Sequence, residues 1–259
     1  MALIFWVFLS SPIACAQDDD PAPGKGWLSM LRGDPHWDAI EKLALDGKID
    51  EAIALTTKYD HELSHITAMR FIAGVQFRNG DRSGADATLQ KALDKVLRRP
   101  GQFEIQAIDG AMGLLEVARD YHRYRFPERR DDLMDLARRW IEDGEPRGYA
   151  LAEMKAAKTE MVSQLAKVYA EFGQLDRARE AFAEATDIAL SLPAEINWAG
   201  SGAVSERAGF LTTIAYYQAE AGLFDDAGVT LDLARAHLGE GDPKVVTGIE
   251  DYIATLRGK

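Results

Sequence analysis

Residues 169–185, YAEFGQLDRAREAFAEA, contain a glycine that is followed by two alanines at fixed distances. Gly173 stands five residues before Ala178, and Ala185 follows seven residues after Ala178. A glycine can end a helix in the left-handed backbone conformation at little cost because it has no Cβ. Alanines seven residues apart lie on one face of the next helix, and their small side chains let neighbouring helices approach closely. The stretch therefore predicts two helices joined by a short turn.

The same spacing recurs elsewhere in the chain. Two copies are complete and a third ends in tyrosine: Gly80, Ala85 and Ala92; Gly222, Ala227 and Ala234; Gly47, Ala52 and Tyr59. A weaker copy has Arg125 and Arg130 in place of the glycine and the first alanine, and it keeps Ala137. We find no convincing alternation of apolar and polar residues, the pattern typical of β-strands. The repeats predict an all-α fold built from helix hairpins.

The residues around Gly173 resemble the tetratricopeptide-repeat (TPR) family. Five of them match the family's L-G-x2-Y and A-x3-F patterns, with alanine in place of the glycine: Leu165, Ala166, Tyr169, Ala178 and Phe182. The resemblance implies a right-handed α-solenoid of about five antiparallel helix hairpins. The segment after Pro243 is expected to form a C-terminal capping helix. We expect residues 34–259 to form this TPR-like domain.

The N-terminus has the pattern of an export signal. Residues 1–16, MALIFWVFLSSPIACA, contain no charged side chain and end in an A-x-A cleavage site. The apolar run is too short to span a bilayer as a helix. Residues 17–33 are acidic and then rich in proline and glycine, which predicts a flexible leader. We expect a periplasmic or secreted protein with no stable membrane span in the mature chain; a lipoprotein anchored through Cys15 is the alternative.

The formal net charge of −12 narrows the classes of partner. Proteins that wrap nucleic acid or bind anionic lipid electrostatically need a surplus of lysine and arginine, which this chain lacks. The sequence also contains no P-loop, no dinucleotide-binding glycine fingerprint and no nucleophile elbow. We therefore expect no cofactor and no nucleic-acid partner, and a protein or peptide as the ligand.

The TPR resemblance also implies a binding groove. In that family the first helix of each hairpin lines a concave surface, at positions counted from the turn glycine. Applied to this chain, those positions are Arg70, Phe77, Arg78, Arg119, His122, Arg123, Lys167 and Tyr216. Most of them are basic, and a basic groove would hold an acidic peptide by charge-assisted hydrogen bonds. The alternative is that these side chains lie on solvated helix faces and form ion pairs within their own helices.

A second motif suggests different chemistry. His61-Glu62-Leu63-Ser64-His65 fits the H-E-x-x-H pattern of zinc peptidases. On a helix, His61 and His65 lie one turn apart and could both bind zinc, with Glu62 as general base toward the bound water. However, the motif falls at the expected start of a repeat helix, and too few residues precede it for a peptidase domain. The sequence also identifies no convincing third zinc ligand, so we predict neither a metal site nor a catalytic residue.

These features predict a non-enzymatic, exported scaffold or adaptor that binds a protein or peptide partner through its concave groove. Two alternatives remain open. The first is a zinc metallopeptidase that uses the HELSH motif, and the second is a structural protein whose repeats associate with one another. Fold-level resemblance supports a binding module but does not identify a pathway.

Overall fold

The computed structural model of the protein describes residues 34–59, 62–97, 104–143, 151–192, 206–238 and 244–257. Within these ranges the chain forms 11 α-helices and no β-strand, which confirms the predicted all-α class. The predicted signal segment 1–16, with the alternative lipidation site Cys15, and the predicted leader 17–33 lie outside the described residues. Among the helices in the described ranges, none combines the length and apolarity needed to cross a lipid bilayer.

The helices follow one another along the described ranges. They are α1 (Pro35–Leu45), α2 (Ile49–Thr56), α3 (Glu62–Arg78), α4 (Arg82–Leu97), α5 (Glu104–Arg123), α6 (Pro127–Asp143), α7 (Leu151–Glu171), α8 (Leu175–Leu190), α9 (Glu206–Glu220), α10 (Phe224–Ala236) and α11 (Lys244–Arg257). Asp34 caps α1, because its carboxylate accepts hydrogen bonds from the backbone N–H groups of His36 at 2.7 Å and Trp37 at 3.3 Å.

Five connections within the described ranges share one backbone geometry. The glycines predicted to end helices all have a positive φ: 78° at Gly47, 83° at Gly80, 75° at Gly173 and 75° at Gly222. Arg125 occupies the equivalent place after α5 with a φ of 60°. In each turn, the backbone N–H of the residue directly after the positive-φ residue donates to the carbonyl oxygen five residues earlier. Examples are Gln174 to Tyr169 and Phe126 to Tyr121, both at 2.9 Å. This is the Schellman arrangement that ends helices.

The alanines of the repeat lie in the packed interior. Each of them is fully buried: Ala52, Ala85, Ala92, Ala137, Ala178, Ala185, Ala227 and Ala234. The two helices on either side of a glycine turn pack on each other, as α1 does on α2, α3 on α4, α7 on α8, and α9 on α10. A larger side chain at these positions would hold the helices apart, so the alanine spacing is explained by close helix packing.

The chain divides into two compact units. The N-terminal unit contains α1 to α4 together with Arg119–Pro127, which covers the end of α5 and the turn after it. Its apolar core is shared by α1, α2 and α3, where the rings of Trp37 and Phe71 meet edge to face at 5.1 Å. Every residue from 65 to 76 of α3 is buried, so this helix is enclosed along most of its length.

The C-terminal unit contains residues 128 onward and α5 up to Ala118. Helix α9 lies at its centre and contacts α7, α8, α10 and α11. Helix α11 packs on both α9 and α10. Near the start of this unit, Gly110 of α5 faces the indole ring of Trp140 on α6; a Cβ at Gly110 would lie 2.5 Å from a ring carbon.

Candidate functional site

The predicted groove residues fall into two groups, one in each unit. The N-terminal unit holds Arg70, Phe77, Arg78, Arg119, His122 and Arg123, on α3 and the end of α5. The C-terminal unit holds Lys167 on α7 and Tyr216 on α9.

In the N-terminal unit, Arg70 forms a buried ion pair. Its Nε lies 2.5 Å from Oδ2 of Asp120, and a terminal guanidinium nitrogen lies 3.4 Å from Oδ1. The two side chains are 3% and 1% exposed. Arg123 approaches the same carboxylate from the surface, with its guanidinium 3.1 Å from Oδ1. The positive charge of Arg70 is therefore neutralised inside the protein by Asp120. The count of positions from the turn glycine, which we call the repeat frame, predicted Arg70 on an open groove.

Aromatic stacking joins α3 to the turn that follows α5. The ring of Phe77 stacks on the ring of Tyr124, with centroids 4.3 Å apart and planes inclined by 17°. Burial raises the pKa of the Tyr124 hydroxyl above its ordinary value, and the nearby Asp120 carboxylate adds to this effect. Arg78 and His122 are exposed and Arg119 is half-buried. The predicted groove residues here thus lie partly in the interior and partly at the surface, and their role in binding stays a prediction.

In the C-terminal unit, the structure brings Lys167 and Tyr216 to a single carboxylate. Lys167 Nζ lies 2.8 Å from Oε2 of Glu220, and the Tyr216 hydroxyl donates to Oε1 at 2.8 Å. Tyr252 of α11 approaches Oε1 from the other side at 3.4 Å, and its ring stacks on that of Tyr216 with centroids 5.2 Å apart. Three helices therefore contribute to one polar surface around Glu220.

A second carboxylate lies beside the first. The Tyr217 hydroxyl accepts a hydrogen bond from Gln164 Nε2 at 2.7 Å and lies 3.5 Å from Oε1 of Glu160. Gln164 Nε2 also donates to Oε1 of Glu160 at 2.9 Å. The ring of Tyr217 carries the ammonium of Lys167 on its face, 5.0 Å from the centroid. We call the whole set the tyrosine–carboxylate cluster: Glu160, Gln164, Lys167, Tyr216, Tyr217, Glu220 and Tyr252.

Sequence reasoning found two members of this cluster and missed the others. Glu160, Gln164 and Lys167 are spaced by four and three residues, which places them on one face of α7. Counting back from Lys167 would have found the first two. Tyr217 and Tyr252 had no such signal, because their places depend on how α9 and α11 pack.

Burial controls the electrostatics of the cluster. It raises the pKa of the Glu160 carboxyl above its ordinary value, and the hydrogen bonds from Gln164 and Tyr217 offset this only partly. Burial also raises the pKa of the Tyr216 and Tyr217 hydroxyls, and the neighbouring glutamates add to the effect. Both tyrosines are therefore neutral at physiological pH and can donate hydrogen bonds. All cluster members keep part of their surface in contact with solvent.

The zinc-peptidase motif lies only partly within the described residues. His65 is buried on α3, and its Nδ1 lies 3.1 Å from the carbonyl oxygen of Thr56. His61 and the side chain of Glu62 lie outside the described part of the structure. Among the side chains that are described, no three histidine, cysteine or acidic residues are grouped to hold a metal ion. The zinc alternative therefore remains an untested prediction.

A scan against models of known protein families and a search of curated proteins found no match to this chain. The resemblance to the TPR family therefore rests on the residues quoted above.

Proposed function

We propose that this protein is an exported, non-enzymatic helical-repeat scaffold that binds a protein or peptide partner through the surface of the tyrosine–carboxylate cluster. One observation carries the proposal. Side chains from α7, α9 and α11 form a hydrogen-bonded polar surface that stays partly exposed to solvent. A surface whose side chains already hold one another binds a partner with less loss of conformational entropy.

For the architecture, we propose a TPR-like, right-handed solenoid of about five antiparallel hairpins with α11 as its capping helix. The common geometry of the turns at Gly47, Gly80, Arg125, Gly173 and Gly222 supports this proposal. The pairwise packing of successive helices supports it as well. Stacked helix pairs create extended surfaces, which repeat proteins use to bind other proteins.

The pattern of residues 1–16 supports export, so the proposed partner would be a protein or peptide of the periplasm or the cell exterior. Helical repeats without a cofactor motif favour an accessory or scaffolding role over catalysis, by fold-level analogy. The net negative charge of the chain disfavours nucleic acid as the partner.

The test is selection of peptide ligands followed by mutation of the surface. The purified full chain is immobilised and used to select binders from a random dodecapeptide library displayed on phage. Synthetic versions of the selected peptides are then titrated against wild type, Tyr216→Ala, Lys167→Glu and the control Lys91→Glu, by fluorescence anisotropy. Lys91 is exposed on α4 and is not a member of the tyrosine–carboxylate cluster, so its variant makes the same charge change outside the cluster.

We expect Tyr216→Ala to weaken binding at least about tenfold, because an aromatic side chain that a partner covers on binding commonly contributes this much to an interface. Lys167→Glu should weaken it too, and Lys91→Glu should not. Circular dichroism of each variant is the check that helicity is retained. Equal binding by all four proteins, or no enrichment of peptides, would contradict the proposal. Stoichiometric bound zinc that disappears in His65→Ala would instead support the peptidase alternative.

A further inference from the structure

The charges of the tyrosine–carboxylate cluster do not balance. It contains one cation, Lys167, and two carboxylates, Glu160 and Glu220. Lys167 is committed to Glu220, with Nζ 2.8 Å from Oε2. Among the residues that the structure describes, the hydrogen-bond partners of Glu160 are neutral: the amide of Gln164 and the hydroxyl of Tyr217. Glu160 therefore has no direct ion pair with Lys167, whose charge acts on it from beyond ion-pair distance.

At the cluster, this imbalance favours a ligand of the opposite charge from the one that the sequence predicted for the groove. The predicted groove was basic and suited an acidic peptide, but Arg70 and Lys167 are each paired with a carboxylate of the protein. An acidic ligand at the cluster would add a third carboxylate close to Glu160 and Glu220, and like charges at short distance repel. A cationic ligand would add a second positive charge beside the two carboxylates, and opposite charges at short distance attract.

The aromatic members of the cluster point to the same class of ligand. Lys167 already lies over the ring of Tyr217, which shows that this ring face accepts an ammonium group. The rings of Tyr216 and Tyr252 are stacked beside it at 5.2 Å. Stacked tyrosine rings offer apolar area for the methylene stem of a long side chain, while the carboxylates accept hydrogen bonds from its charged end.

We propose that the tyrosine–carboxylate cluster is a subsite for a lysine side chain of the bound peptide, with the ammonium group donating to Glu160 and the methylene stem lying on the tyrosine rings. This assignment rests on the proposed function for its biological meaning, because it names the chemistry of the partner at that same surface. A lysine fits the site by charge and by hydrogen-bonding capacity, since its ammonium group is a compact donor on a flexible stem.

The experiment uses a small probe that does not depend on finding the natural partner. N-acetyl-lysine N-methylamide is titrated against the full chain labelled with 3-fluorotyrosine, and binding is followed by ¹⁹F NMR. The Tyr217 signal is assigned from its loss in Tyr217→Phe. N-acetyl-norleucine N-methylamide has a similar stem without the ammonium group and is the matched neutral probe. Glu160→Gln removes the proposed acceptor charge, and Glu180→Gln makes the same change at an exposed position on α8.

We expect a saturable shift of the Tyr217 signal with the lysine probe and about tenfold weaker binding of the norleucine probe. Glu160→Gln should weaken the lysine probe by a similar factor, and Glu180→Gln should leave it unchanged. Equal affinity of the two probes, no saturable shift, or equal affinity in the two variants would overturn the subsite. Library peptides that require Tyr216 but tolerate norleucine for lysine would keep the proposed function and reject this inference. A specific response to the lysine probe without any peptide binder from the library would keep this inference and reject the proposed function.

Discussion

Arg70→Met removes the cation from a carboxylate that has almost no contact with solvent. Asp120 is 1% exposed and lies 2.5 Å from Nε of Arg70. After the substitution, Arg123 is the cation that remains in contact with Asp120, from the partly exposed side at 3.1 Å. The variant therefore tests whether the buried pair determines the stability of the N-terminal unit.

The size of the effect follows from the burial of both partners. Removing one member of a buried ion pair costs about 3–5 kcal/mol, because the other charge is left without its partner in a medium of low polarity. Arg123 can recover up to about 1 kcal/mol of this, as partly exposed pairs do. We expect Arg70→Met to lower the free energy of unfolding of this unit by about 3 kcal/mol. That is a large fraction of the roughly 5–15 kcal/mol that stabilises a typical domain.

The assay must distinguish the two units. Urea denaturation followed by circular dichroism gives the unfolding transitions, and hydrogen exchange measured by mass spectrometry locates them in peptides from α3 or from α8. Arg179→Met is the control, because the Arg179 side chain is 53% exposed and its nearest contact with Asp226 is 3.4 Å. Pairs of this kind contribute less than about 1 kcal/mol.

A double variant completes the thermodynamic cycle. Arg70→Met combined with Asp120→Leu replaces both charges by apolar side chains, and such replacements are often close to neutral. The double variant should therefore be more stable than either single variant. Additive losses, or a loss below about 1 kcal/mol in Arg70→Met, would refute the argument that pairing of the buried charges stabilises this unit.

Further predictions concern the remaining features of the fold. Burial raises the pKa of Glu160 above its ordinary 4.5. Between pH 4.5 and the raised pKa, the folded protein therefore binds more protons than the unfolded chain. The free energy of unfolding falls as the pH rises through this range. The Glu160→Gln variant should therefore melt at a higher temperature than wild type near pH 7 and at the same temperature near pH 4. A difference in melting temperature that is the same at both pH values would contradict this prediction. Gly173→Ala should cost about 1 kcal/mol at its φ of 75°, and Arg125→Gly should leave stability equal or slightly higher, both by urea denaturation. Gly110→Ala should lose about 1–3 kcal/mol in the same assay, because the new methyl group meets the ring of Trp140, and wild-type stability would disprove the clash.

The positions of turns and packed alanines could be predicted because their causes are local. A positive φ is cheap for glycine alone, and an alanine spacing of seven residues keeps small side chains on one helix face. Arg125 shows the limit of this reasoning. The sequence marked its repeat as a weak match, yet the backbone after α5 forms the same turn at a φ of 60°. The hydrogen bonds of the turn outweigh the conformational cost of a side chain there.

The chemistry of the candidate site could be predicted only in part. The repeat frame identified Lys167 and Tyr216, which do meet at one carboxylate. It also placed Arg70 on an open surface, whereas Arg70 is buried against Asp120. A repeat frame gives the direction of a side chain around its own helix, but it does not show which other helix covers that face.

By itself, the sequence determined the helical class, the turn positions and the alanine faces, because these depend on interactions between residues close together in the chain. The tertiary structure alone decided which charges are neutralised and which remain exposed. Glu220 meets Lys167 across 53 residues and Asp120 meets Arg70 across 50. Such pairings depend on how whole helices pack, and helix packing is set by the sum of many weak contacts rather than by a short pattern. For this reason the sequence favoured an acidic ligand, and the packed structure favours a lysine.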